Sequence, residues 1–197
     1  YRPLDAGGIA ELDVFGDRHE LKLGLVGRHA AVDACAALAA AHAAGASVAQ
    51  ALAGLARARP PAMRGEVVEV AGRKVIVDCY NANPASMAAA MRALAERAQG
   101  PGPRKTALAV VGDMLELGTH GPDAHREVGA LAKQLGLSVI ALGELSREVS
   151  GAEHVDTPHA AAARAFELTQ PGDWILLKAS RGMKLERVLD AMRGGAR

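Results

Sequence analysis

The sequence predicts an α/β fold in which a mostly parallel sheet carries helices on both faces. Three observations support that expectation. From residue 66 onward, short apolar runs alternate with helix-length stretches that bring their own start and stop signals. One run, Thr-Ala-Leu-Ala-Val-Val at 106–111, contains no charge, which suits a central parallel strand buried on both faces. The composition points the same way: 50% of the 197 residues are hydrophobic, yet aromatics are confined to Tyr1, Phe15, Tyr80, Phe166 and Trp174. Alanine, leucine and valine must therefore build the core, on closely packed helices.

The elements follow in order. Residues 12–25 alternate in short β-like runs, most strictly at 19–25. An alanine-dense helix covers 28–44 and stops at Gly45, and Ser47 is placed to cap a second helix over 48–58. Arg59-Pro60-Pro61 breaks the pattern and marks a domain boundary, because neither proline continues a helix. Beyond it, strands at 66–70 and 73–77 flank an Ala71-Gly72 turn. Asn83 and Pro84 supply a cap and first-turn proline for a helix reaching about residue 99. After a flexible Gly100-Pro101-Gly102-Pro103 connector come strand 106–111, helix 122–135 ending at Gly136, and strand 137–142. A short helix over 144–149, a Thr-Pro-started helix over 157–168, strand 174–177 and helix 184–192 complete the chain.

Several function classes are excluded or disfavoured. Lys plus Arg total 23 against 22 Asp plus Glu, so no charge surplus supports nucleic-acid binding. No stretch is apolar enough to span a bilayer, and no secretory signal opens the chain. Cys35 and Cys79 make neither a disulfide framework nor a metal-ligand spacing. The expectation is a cytoplasmic protein, monomeric, acting without membrane or nucleic acid. Neither a Gly-x-x-x-x-Gly-Lys-Ser/Thr phosphate loop nor a Gly-x-Gly-x-x-Gly turn is present.

In open α/β sheets ligands bind beyond the carboxyl ends of the strands. Three polar loops fall there. The first, Asp78-Cys79-Tyr80-Asn81-Ala82-Asn83-Pro84, offers an aspartate suited to ribose hydroxyls or a metal-bound water. The plainer alternative is that Asp78 and the asparagines satisfy turn amides. The second, Gly112-Asp113-Met114-Leu115-Glu116-Leu117-Gly118, carries two carboxylates. The third, Lys178-Ala179-Ser180-Arg181-Gly182, joins two cations and a hydroxyl in a set suited to phosphate or carboxylate. His125, on the helix after the second loop, fits a functional role and a packing role equally well.

These three loops, in this order, resemble the Mur ligase family: Tyr80-Asn81-Ala82-Asn83-Pro84, then Gly112-Asp113-Met114-Leu115-Glu116-Leu117-Gly118 with His125 behind it, then Lys178-x-Ser180-Arg181. The resemblance implies an ATP-dependent ligase that joins D-alanyl-D-alanine to UDP-N-acetylmuramoyl-tripeptide through an acyl phosphate. It also implies that residues 1–60 are the α/β tail of a central ATPase domain and 61–197 a Rossmann-like C-terminal domain. The chain is then an incomplete part, inactive alone, with the main ligands for ATP and Mg2+ lying upstream. Carried over by position, Arg64 and Asp78 reach the nucleotide, as do His29 and Asp33. Tyr80, Asn81, Asn83, Asp113, Glu116, His125, Lys178, Ser180 and Arg181 belong to loops that meet the substrates. The diamino acid of the tripeptide is not specified by these residues.

One departure bears on the nucleotide. The family pattern Gly-x-His-Asn-x-x-Asn reads Gly27-Arg28-His29-Ala30-Ala31-Val32-Asp33 here. Asp33 accepts a hydrogen bond from an adenine amino group but has no amide to donate back. A non-catalytic module that binds nucleotide or a partner protein is the competing expectation that this departure favours. A sister ligase with another acceptor is a third, opposed by the Tyr-Asn-Ala-Asn-Pro loop.

Overall fold

The computed structural model describes residues 1–99 and 105–195, so the expected connector at 100–103 lies outside the described residues. The chain divides into two compact units, Tyr1–Pro61 and Ala62–Arg197.

In the first unit, strands β1 (Arg2–Leu4), β2 (Gly7–Val14) and β3 (Asp17–Leu23) form an antiparallel sheet in that order. The β2–β3 hairpin turns on two residues, Phe15 at φ 55° and Gly16 at φ 92°, the positive-φ pair that a tight hairpin demands. Sequence alternation caught β3 but missed the start of β2, whose pairing partner is fixed by this turn. Helices α1 (Arg28–Ala43) and α2 (Val48–Ala56) follow. Ser47 caps α2 in a reciprocal capping box with Gln50, as its position predicts. The core packs Ala10, Leu12, Leu21 and Leu23 of the sheet against Ala34 and Leu38 of α1.

The second unit has a six-stranded sheet in the order β4 (Glu66–Val70), β5 (Arg73–Asp78), β9 (Trp174–Lys178), β6 (Ala107–Gly112), β7 (Ser138–Leu142), β8 (Glu153–His154). Only β4 runs antiparallel; the other pairings are parallel. Helices α3 (Pro84–Ala98) and α4 (Gly121–Leu135) contact each other, as do α5 (Pro158–Leu168) and α6 (Glu186–Gly195). Alternation along the strands sends Val75, Val77, Leu108, Val110, Ile175 and Leu177 into one core with Ala161, Ala165, Val188 and Met192 of α5 and α6. Every residue of β6 and β9 is buried, as strands covered on both faces must be.

Two expectations need correction. The helix expected over 144–149 is a short 3-10 turn, Leu145–Glu148, because its backbone wraps a carboxylate instead of continuing. The last helix starts at Glu186 and not at 184, since Lys184 adopts φ 50° after a 3-10 turn at Arg181–Met183. The two-residue strand β8 had no periodic signal to reveal it.

Candidate functional site

The parallel strands of the second unit end on one rim. In the β5–β9 register Asp78 lies directly beside Lys178. The Lys178 ammonium, 1% exposed, donates to Asp78 Oδ2 at 2.7 Å and to the Asn81 carbonyl at 3.1 Å. A buried charge with one partner removed costs about 3–5 kcal/mol, so this pair pins the loop after β5 to the centre of the sheet. The register puts the two residues together; burial makes their pairing obligatory.

The loop after β6 is held from three sides. Asp113, 6% exposed, turns its carboxylate inward: Oδ1 accepts from the Ser146 amide at 2.7 Å and from the Ser146 hydroxyl, and Oδ2 accepts from the Glu144 amide at 3.1 Å. Gly143 makes room for it, since a Cβ there would lie 2.3 Å from Asp113 Oδ1. The Met114 amide donates to His125 Nε2 at 3.0 Å, while His125 Nδ1 faces the Gly121 carbonyl at 2.7 Å. With Nε2 accepting, the proton sits on Nδ1 and the ring is neutral. Ser180 closes the network. Its amide donates to the Asp113 carbonyl at 3.1 Å, and its hydroxyl accepts from the Leu115 amide at 2.9 Å and donates to the Ala82 carbonyl at 3.4 Å. Gly112 lets the β6 and β9 loops approach, because a Cβ there would sit 2.8 Å from that of Ala179.

The expected site residues therefore divide into two groups. Asp113, His125, Lys178 and Ser180 are buried, and their polar atoms bind neighbouring loops. They build the rim and do not present themselves to solvent. Asn81 and Asn83 take the plainer roles: Asn81 Oδ1 accepts from the Ala82 amide at 2.9 Å, and Asn83 caps α3 in a capping box with Ser86. On the exposed side stand Arg64, Tyr80, Glu116 and Arg181, with Asp78 half-buried behind them. The Arg64 guanidinium carbon lies 3.7 Å from the centroid of the Tyr80 ring. Arg181 donates to Glu186 Oε1 at 2.7 Å and to Met63 Sδ at 3.4 Å. Glu116 projects from a left-handed residue at φ 67°. His29 and Asp33 belong to the other unit, exposed one turn apart on α1, where Ala30 is buried.

Four contributors escaped the sequence reading: Gly143, Ser146, Met63 and Glu186. The first two follow β7, whose loop was assigned to a helix. The strand-end rule that selected the other three loops would have selected this one as well. Cys79, within the first loop, is fully buried, and burial, followed by the nearby Glu186 charge, pushes its thiol up to about 11. It is a neutral packing group. Among the described residues no cluster of three or more His, Cys, Asp or Glu is placed to hold a metal ion. None of the described helices is long and apolar enough to cross a membrane.

The family profile described as "Mur ligase, glutamate ligase domain" matches residues 63–181. This chain belongs to the Mur ligase family. Among its relatives, the UDP-N-acetylmuramoyl-tripeptide–D-alanyl-D-alanine ligase of Escherichia coli is 36% identical, over 88% of this chain and 39% of that protein. The Mycobacterium tuberculosis (strain H37Rv) ligase of the same name is 33% identical, over 88% of this chain and 39% of its own length. A MurF ligase from Thermotoga maritima, solved in complex with ADP, superposes with a TM-score of 0.86 at 27% identity, covering 98% of this chain and 44% of that one. This Mur ligase chain thus spans well under half the length of the relatives it matches.

Proposed function

We propose that this chain is the C-terminal part of an ATP-dependent amide-bond ligase of the cytoplasm, which adds D-alanyl-D-alanine to UDP-N-acetylmuramoyl-tripeptide in peptidoglycan precursor synthesis. The observation that carries the proposal is the single activity named for bacterial relatives that align along most of this chain. On this basis residues 1–60 are the tail of the central ATPase domain and residues 61–197 the C-terminal domain, a reading supported by the division of the chain into two compact units near that point.

The chemistry asks this chain to bind and orient. ATP transfers its γ-phosphoryl group to the tripeptide carboxylate and leaves as ADP; the acceptor amine then attacks the acyl carbon, and inorganic phosphate departs as the amine gives up a proton and the amide forms. Arg64 offers guanidinium N–H groups to the nucleotide, and the half-buried Asp78 carboxylate suits its ribose hydroxyls. Arg181 and Glu116 stand exposed on neighbouring loops, where a cation and a carboxylate steer a peptide with charges at both ends. The buried network of Asp113, His125, Lys178 and Ser180 keeps these groups in fixed positions before substrate arrives, which is where positioning gains rate.

The competing reading, a binding module without catalysis, is favoured by Ala30 and Asp33 on α1. One experiment separates the two. The polypeptide carrying this chain together with the remaining length of its relatives is assayed for ADP release. Release that depends on both D-alanyl-D-alanine and UDP-N-acetylmuramoyl-tripeptide is expected, and none from the 197-residue chain alone. ATP binding without ADP release for any peptide acceptor overturns the ligase reading.

A further inference from the structure

Arg64 stands on a turn whose backbone is pinned at every side. The Met63 amide donates to Glu66 Oε2 at 3.1 Å, the Met63 carbonyl accepts from the Tyr80 amide at 3.1 Å, and the Gly65 amide donates to the Val77 carbonyl at 2.9 Å. Met63 itself holds φ 60°, a left-handed conformation that a side-chain-bearing residue keeps only when its surroundings insist. The turn is therefore rigid, while the Arg64 side chain at its crest is exposed. Among the described residues its N–H groups meet no protein acceptor, and what holds it is the face of Tyr80, 3.7 Å away.

That contact has a particular chemistry. A guanidinium seated over an aromatic ring is held without spending its N–H donors on an acceptor, whereas a carboxylate partner would occupy them. Arg181 shows the contrast on the same rim, since one of its N–H groups is already committed to Glu186 at 2.7 Å. We propose that Tyr80 is a positioning residue: its ring holds the Arg64 guanidinium with its N–H donors unspent, so that it meets the phosphate oxygens of a nucleotide already oriented. Tyr80 then acts through Arg64 and does not touch the ligand. This inference rests on the nucleotide reading of the site and adds to it the group that aims the arginine.

The test is a double-mutant cycle in the full-length protein, with ADP as the probe and calorimetry as the readout. Tyr80→Leu keeps apolar bulk and removes the ring; it is expected to weaken ADP binding by about two- to fivefold, the range of an exposed cation–π contact. Tyr80→Phe recovers most of that loss, because the ring and not the hydroxyl does the holding. Arg64→Ala weakens binding at least as much as Tyr80→Leu, and adding Tyr80→Leu to Arg64→Ala changes nothing further. A Tyr80→Leu effect that persists in full without Arg64 overturns the proposal, because Tyr80 then contacts the nucleotide itself. Unchanged ADP affinity in Tyr80→Leu overturns it as well, while leaving the nucleotide reading intact. If the unsubstituted protein binds no ADP, the nucleotide reading fails and takes the proposal with it.

Discussion

Cys79 and His125 show how single residues near a polar rim are kept out of its chemistry. Each is buried, Cys79 at 0% and His125 at 1% exposure, but they are neutral for different reasons. His125 is held neutral by geometry, with one nitrogen donating and the other accepting. Cys79 is held neutral by desolvation, which raises its thiol from 9.0 to about 11. Because the folded chain keeps this proton more tightly than the unfolded one, the contribution to stability is complete below pH 9 and is lost as pH rises towards 11. The stability advantage of the parent over Cys79→Ala should therefore shrink across that window in urea titrations. A simpler check uses a thiol-alkylating reagent at pH 8. Cys35 is exposed and reacts in the folded chain, whereas Cys79 reacts only in denaturant. Two reactive thiols in the folded chain would contradict the burial argument.

At the scale of elements, the rim depends on contacts between loops far apart in sequence. The loop after β6 and the loop after β7 meet through Asp113 and Ser146, 33 residues apart. Gly143 permits the meeting twice over. Its φ of +118° is a region that side chains avoid, and its missing Cβ leaves space for the carboxylate. Gly143→Ala is expected to destabilise the second unit by about 2 kcal/mol or more, and Ser146→Ala by about 1–2 kcal/mol, since Asp113 keeps its backbone donors in the latter. Because both changes act on one carboxylate, their combined cost should be less than the sum; urea midpoints that add independently would refute the shared role. The same loops mark where the sequence ceased to be legible. Caps and stops were readable because their partners lie three residues away, as with Ser47 and Gln50 or Asn83 and Ser86. The loops that carry Arg181 and Glu116 were legible because they follow strand ends, whereas Arg64, which precedes β4, was singled out only by resemblance. The inward turn of Asp113, His125 and Ser180 was not, since an aspartate in a loop looks the same whether it faces water or a distant amide. The 3-10 turn at Leu145–Glu148 was misread as a helix for the same reason.

At the scale of the molecule, the second unit has a sheet and a buried core of its own. Its sheet is covered on both faces, and one edge is a hairpin strand while the other is only two residues long. The two-residue β8 leaves few free backbone groups at its edge for further strand addition. The sole tryptophan of the chain, Trp174, reports on this core. It opens β9 at 2% exposure, pairs with both β5 and β6, and lies with its ring 5.6 Å from Lys74 Nζ and 5.6 Å from the Arg97 guanidinium. Any loosening of the sheet centre therefore wets the indole. Residues 62–197, produced without the first 61, should keep a buried-tryptophan emission spectrum and lose it in one transition that coincides with the loss of helical circular dichroism. An emission maximum typical of indole in water, or two transitions that separate, would mean that the β9 core draws support from outside its own unit.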